Sequence, residues 1–228
     1  MSAEMDAELD AVLIGGREMR PIVIVDYDNE WPDRFDELAI QVKNALGNGA
    51  LSVEHIGSTA VPGLAAKPIV DMLLVVHDVT DEGAHVTPLE HEGFVLRVRE
   101  PRHRMLRTTE KDVHIHVFEP ESQEIKNYRD LRDWLLINEA DRDLYAATKN
   151  KLVQQRWSDM NYYAAAKSSV IQQILGRARL ARDQQGLRRP RARPGASEHH
   201  HATASRTING HSPAVIYIEP SRHKKMPV

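Results

Sequence analysis

The stretch from Val53 to Val76 constrains this chain more than any other part of it. It opens as a short apolar strand, Val53-Glu54-His55-Ile56, and breaks at Gly57-Ser58-Thr59. Turn-forming Pro62-Gly63 then leads to a long apolar run with Lys67 just before it and Asp71 inside it. A carboxylate in an Ile/Val/Leu strand is costly to desolvate, so it needs a partner, a metal ion or a strand end open to water. Asp71 is the first candidate functional residue.

The flanking segments supply the rest of an α+β pattern. Pro21 to Val25 is a β-branched run and reads as a first strand. Asp28 or Asn29 can cap a helix that Pro32 helps to start, with Phe35, Leu38, Ala39, Val42 and Leu46 at helical spacing. Val79 to Glu92 reads as a helix, and Phe94–Arg99 and Arg104–Thr108 as two strands. In the strand from Val113 to Phe118, Val113, Ile115 and Val117 share one face, and His114 and His116 share the other. Three helices follow, marked by Ile125 to Leu135, Leu144 to Gln155 and Tyr162 to Leu175. Strands followed by a run of helices predict an α+β domain with a helical C-terminal half.

Several of these motifs together resemble the GrpB family. The central stretch resembles its Glu-His-Ile-Gly-Ser-Thr-x-Val-x-Gly-Leu-x-x-Lys-Pro-x-x-Asp signature, carried here from Glu54 to Asp71. Tyr27 to Trp31, His114 to Val117, Tyr128 to Leu135, Tyr145 to Lys151 and Tyr162 to Lys167 resemble its other elements. The resemblance covers residues 21–178. It implies a nucleotidyltransferase-like mixed β-sheet with packed helices. Some members of the family are fused to a dephospho-coenzyme A kinase, which points to nucleotide or cofactor metabolism, although this chain carries no kinase P-loop. Residues 1–20 then form a loosely attached lead-in, and residues 179–228 a basic tail expected to be disordered.

Charge and composition bound the partners. From Gly176 onward there are 11 Lys and Arg against 3 Asp and Glu, whereas the whole chain carries a net charge of -3, so the body is acidic. An acidic body argues against a broad nucleic-acid platform; whether the basic tail touches nucleic acid stays open. The tail also holds His199-His200-His201 and an apolar run, Ala214 to Ile218, that could add a strand. No apolar run is long enough to span a membrane, and the absence of cysteine suits a cytoplasmic protein.

Three readings of the site follow. In nucleotidyl transfer, Gly57, Ser58 and Thr59 would cradle phosphate and Asp71 would hold Mg²⁺ or Mn²⁺, with His55 as acid or base near neutral pH. Leu73 stands where the resemblance implies a second carboxylate, which removes a ligand that the two-metal mechanism uses. In the second reading, Asp71, His114 and His116 form a site for Zn²⁺ or another transition metal, with Glu54 or His55 completing the shell. In the third, Lys67 and an arginine such as Arg129 hold a phosphorylated small molecule or nucleotide without chemistry, as a binding or accessory module.

Overall fold

The computed structural model describes residues 3–19 and 21–188. Its centre is a five-stranded mixed sheet in the order β1-β2-β5-β4-β3. The strands are β1 (Ser52–Ile56), β2 (Val70–Val75), β3 (Val95–Glu100), β4 (His103–Arg107) and β5 (Val113–Phe118). β2 and β5 run parallel; the other neighbouring pairs are antiparallel. Central strands covered on both faces lose the alternation of a half-solvated sheet, and every residue of β5 is buried.

On one face lie α2 (Trp31–Leu46) and α3 (Glu82–His91), packed over Val70, Met72, Leu74, Val113, Ile115 and Val117. Pro32 stands in the first turn of α2, where its missing N–H costs nothing. The Asp81 side chain caps α3 by accepting from the Ala84 N–H. On the other face, α4 (Gln123–Ile137) places Ile125 and Tyr128 against Ile56, Leu73, Val75 and Phe118. Beyond it, α5 (Glu139–Val153), α6 (Met160–Ala166) and α7 (Ser168–Arg188) complete the helical half. Leu135, Tyr145, Ile171, Ile174 and Leu175 form its core, into which Val61 and Leu64 of the signature loop insert.

Four expectations change. Pro21 to Val25 is not a strand: it pairs only at Val25, which exchanges both backbone hydrogen bonds with Ala66. Val23 stays exposed, so lengthening that ladder would bury little apolar surface. The lead-in is docked. α1 (Ala3–Val12) buries Leu9, and Leu13 after it, against Val98, Met105 and Tyr162. The third predicted helix is two, divided at Lys167. α7 also runs ten residues past Ala178, where Arg179 and Arg182 pair with Asp130 of α4, so the tail does not start at 179. The histidine tract and the Ala214–Ile218 run lie outside the described residues.

Candidate functional site

The parallel register of β2 and β5 sets Asp71 opposite His114 and Leu73 opposite His116, all four on the face toward α4. Asp71 Oδ1 lies 3.3 Å from His114 Nδ1 and 3.9 Å from His116 Nε2. One donor atom from each of the three residues falls within 4.8 Å of the others. Burial pushes the Asp71 carboxyl up, but the hydrogen bond from His114 and the nearby His116 and Lys67 hold it below its ordinary value. Burial, reinforced by His103, pushes His116 down to about 3, so its ring is neutral at physiological pH.

Gly57 admits this carboxylate. Its φ of 74° and ψ of -168° lie in a region essentially reserved for glycine. A Cβ there would stand 2.5 Å from Asp71 Oδ2. After Gly57 the chain makes a single 3-10 turn, Ser58–Ala60, at the floor of a cavity of about 830 Å³ that includes its open mouth. Asp71, His114 and His116 occupy one part of its wall; Lys67, Arg132, Lys149 and Lys167 supply the cations.

Two of those lysines come from the helical half and are almost fully buried. Lys149 donates to Ser58 Oγ at 3.0 Å and to the Ala65 carbonyl, and sits 4.8 Å from the centre of the Tyr145 ring. Lys167 sits 4.9 Å from the Tyr163 ring centre and Lys67 5.4 Å from the same ring. Burial, and then the charge of Lys67, pushes Lys149 down to about 7. Burial, Lys67 and Lys149 push Lys167 well below the usual lysine range. Buried like charges in one cavity are costly, and an anion placed among them removes that cost. Tyr163 also lines this cavity, and its hydroxyl is buried and without a hydrogen-bond partner among the described residues. Burial raises its pKa to about 12, which keeps it a donor.

Other expected site residues stand elsewhere or are engaged. His55 is on the opposite sheet face from Asp71, stacked on Phe35 at 4.7 Å, and is not part of the cavity wall. Its Nε2 meets Thr59 Oγ1 at 3.0 Å, and burial pushes its pKa down to about 4. That placement removes His55 as acid or base at the site. Thr59 donates to the Ile69 carbonyl at 3.2 Å, so its hydroxyl holds the loop together. Arg129 forks onto Glu54 and lies off the cavity wall, while Arg132 of the same helix reaches Glu54, the His55 carbonyl and the cavity. Glu54 is thereby engaged by two arginines instead of completing a metal shell. Arg129→Ala should cost about 1 kcal/mol or less in denaturant melts, because the pair is partly exposed, and leave ligand affinity unchanged. A marked loss of affinity would put Arg129 back in the site.

The model of the GrpB family, "GrpB protein", matches residues 21–177. The chain belongs to the GrpB family. A UPF0157 protein of Halalkalibacterium halodurans is 47% identical over 180 residues, covering 76% of this chain and 91% of that protein. The crystal structure of the conserved protein GrpB from Enterococcus faecalis superposes with a TM-score of 0.63 at 30% identity, covering 70% of this chain and 99% of that one. A chain of the GLD-2/RNP-8 complex shares the fold at a TM-score of 0.50 and 12% identity, covering 89% of this chain and 79% of that one. The GrpB fold here is thus α+β, a mixed five-stranded sheet with packed helices and a helical C-terminal half. No described helix is long and apolar enough to cross a membrane.

Proposed function

We propose that this GrpB-family cavity binds a nucleotide or other phosphorylated small molecule, with its phosphate among Lys67, Lys149, Lys167 and Arg132. The observation that carries this reading is four cationic side chains converging on one wall system whose charged acceptor is Asp71. Lysines act there as point charges and Arg132 as a fork, the usual division of labour in phosphate recognition. Tyr163 adds a donor whose oxygen has no partner among the described residues.

A divalent metal ion fits the adjoining wall. One carboxylate oxygen and two imidazole nitrogens are a donor set for Zn²⁺, Mn²⁺ or Fe²⁺ more than for Mg²⁺, which prefers oxygen. Asp71, His114 and His116 would hold it, and it would supply Lewis-acid polarisation of a phosphate oxygen. The chain's own part is to bind and neutralise: the lysines and Arg132 fix the phosphate, Tyr163 donates to it, and Leu135 and Ile171 of the wall exclude water. Leu73 is fully buried in the apolar cluster with Ile56 and Phe118, so the second carboxylate of a two-metal site has no counterpart there. That favours binding, or single-metal chemistry, over two-metal transfer.

The test is a thermal-shift series on metal-stripped full chain with ATP, UTP and pyrophosphate, each with and without Mn²⁺ or Zn²⁺. Ligand at a hundred times Kd should add about 2.7 kcal/mol to stability. The shift should vanish in Lys149→Met and lose its metal dependence in Asp71→Asn. Equal stabilisation of wild type and Lys149→Met would place the ligand elsewhere. Release of pyrophosphate from ATP or UTP would identify a transferase; binding without product would identify a binding module.

A further inference from the structure

Behind the cavity wall lies a buried polar chain that ligand binding does not use. His103 Nε2 lies 3.2 Å from His116 Nδ1, and His103 Nδ1 lies 2.8 Å from Glu100 Oε2. Glu100, His103 and His116 are 5%, 2% and 2% exposed, so this chain is set in the protein interior. The hairpin of β3 and β4 creates it: Glu100 and His103 flank the Pro101-Arg102 turn and pair directly, and β4 packs beside β5. The rings are held in place from the side as well. His103 stacks on Phe118 at 4.5 Å and on His116 at 5.4 Å, and Tyr128 lies against His116 at 5.6 Å.

The chain has a direction. A carboxylate only accepts, so the proton between Glu100 and His103 sits on His103 Nδ1. In the Nδ1–H tautomer His103 offers a lone pair at Nε2, to which His116 donates from Nδ1. That leaves Nε2 of His116, the atom 3.9 Å from Asp71 Oδ1, as the lone-pair nitrogen of its ring. A lone pair facing a carboxylate is an arrangement that a cation between them stabilises.

We infer that Glu100 and His103 are positioning residues for a metal ion, fixing His116 as an Nε2 ligand beside Asp71 and His114. The inference rests on the metal reading given above and extends it to two residues that never reach the cavity. Hydrogen-bonding partners of this kind hold the ligating tautomer and ring orientation, and losing one weakens metal affinity by about 10–100-fold. The chain's own donor set, two imidazole nitrogens and one carboxylate oxygen, makes Zn²⁺ the appropriate probe.

Two measurements on the full chain test it. In metal-stripped, ¹⁵N-labelled wild type, long-range proton–nitrogen correlation should show His116 protonated at Nδ1 and bare at Nε2. The opposite tautomer overturns the inference, and this reading needs no variant to fold. Zn²⁺ titration by calorimetry should then show affinity falling about 10–100-fold in His103→Phe, which keeps the ring stack but removes the acceptor. Equal Zn²⁺ affinity in wild type and a folded His103→Phe sinks the positioning role while the metal site stands. Absence of any Zn²⁺ affinity in wild type sinks the metal reading, and the inference with it.

Discussion

Gly57→Ala should lower stability by about 3 kcal/mol or more, a fall in Tm on the order of 10 °C for a chain of this size. Two separate causes add. The backbone of Gly57, at φ 74° and ψ -168°, is one that an L-residue adopts only with strain. The new methyl group would also stand 2.5 Å from Asp71 Oδ2, where the obstacle is a strand residue held by His114. Either the loop or the carboxylate must move, so metal-dependent stabilisation should disappear together with Tm. Gly63 is the internal control, because its φ is also positive, at 77°, yet a Cβ there meets nothing within 4 Å. Gly63→Ala should therefore cost about 1 kcal/mol and leave metal response intact. If thermal melts place the two variants together, the close approach to Asp71 is not what requires glycine.

The second large effect is a pH dependence of opposite sign for stability and for anion binding. Lys149 has a folded pKa of about 7, against an ordinary lysine value of 10.5. Between those values the unfolded chain holds a proton that the folded chain has released. Ligand-free stability should therefore rise with pH through that window, at up to about 1.4 kcal/mol per pH unit from this one group. Lys167 is depressed in the same direction and adds to the trend. Anion affinity runs the other way, weakening as pH climbs above about 7 and the Lys149 ammonium is lost. Lys149→Met should flatten the stability rise and abolish the anion response, while stability at pH 7 holds or improves because a buried cation has been removed. A wild-type stability that is flat from pH 7 to 10 in urea titrations would show that Lys149 keeps its ordinary pKa.

These two effects draw on parts of the site that were unequally legible in the sequence. Gly57 and Asp71 were visible because each breaks a local rule, a glycine at a strand end and a carboxylate in an apolar run. His114 and His116 were visible through strand alternation, which fixes a shared face without knowledge of the partner strand. Lys149 and Lys167 were not singled out, since a lysine on a helix ordinarily reads as solvated. A signal existed: each follows a tyrosine by one helical turn, Tyr145 to Lys149 and Tyr163 to Lys167, and each contacts that ring. Arg129 and Arg132 illustrate the converse. They are three residues apart on α4, yet Arg132 lines the cavity and Arg129 is held on Glu54 away from it.

The sequence by itself determined the α+β pattern, the strand–turn–strand around Gly57-Ser58-Thr59, and the chemical types available near Asp71. Those follow from short-range terms: hydrophobic period, turn chemistry and the cost of a charge in an apolar strand. Only the tertiary structure decided which residues meet. The parallel pairing of β2 with β5 brought Asp71 to His114 across about forty residues of chain, while the antiparallel pairing of β1 with β2 set His55 opposite Met72, on the far face. Packing of α5, α6 and α7 against one another and α4 buried two lysines, Lys149 beside a loop some ninety residues away in sequence. Burial is a property of that assembly and not of the lysine's neighbours in sequence, so the depressed pKa values arise only once the helices are in place.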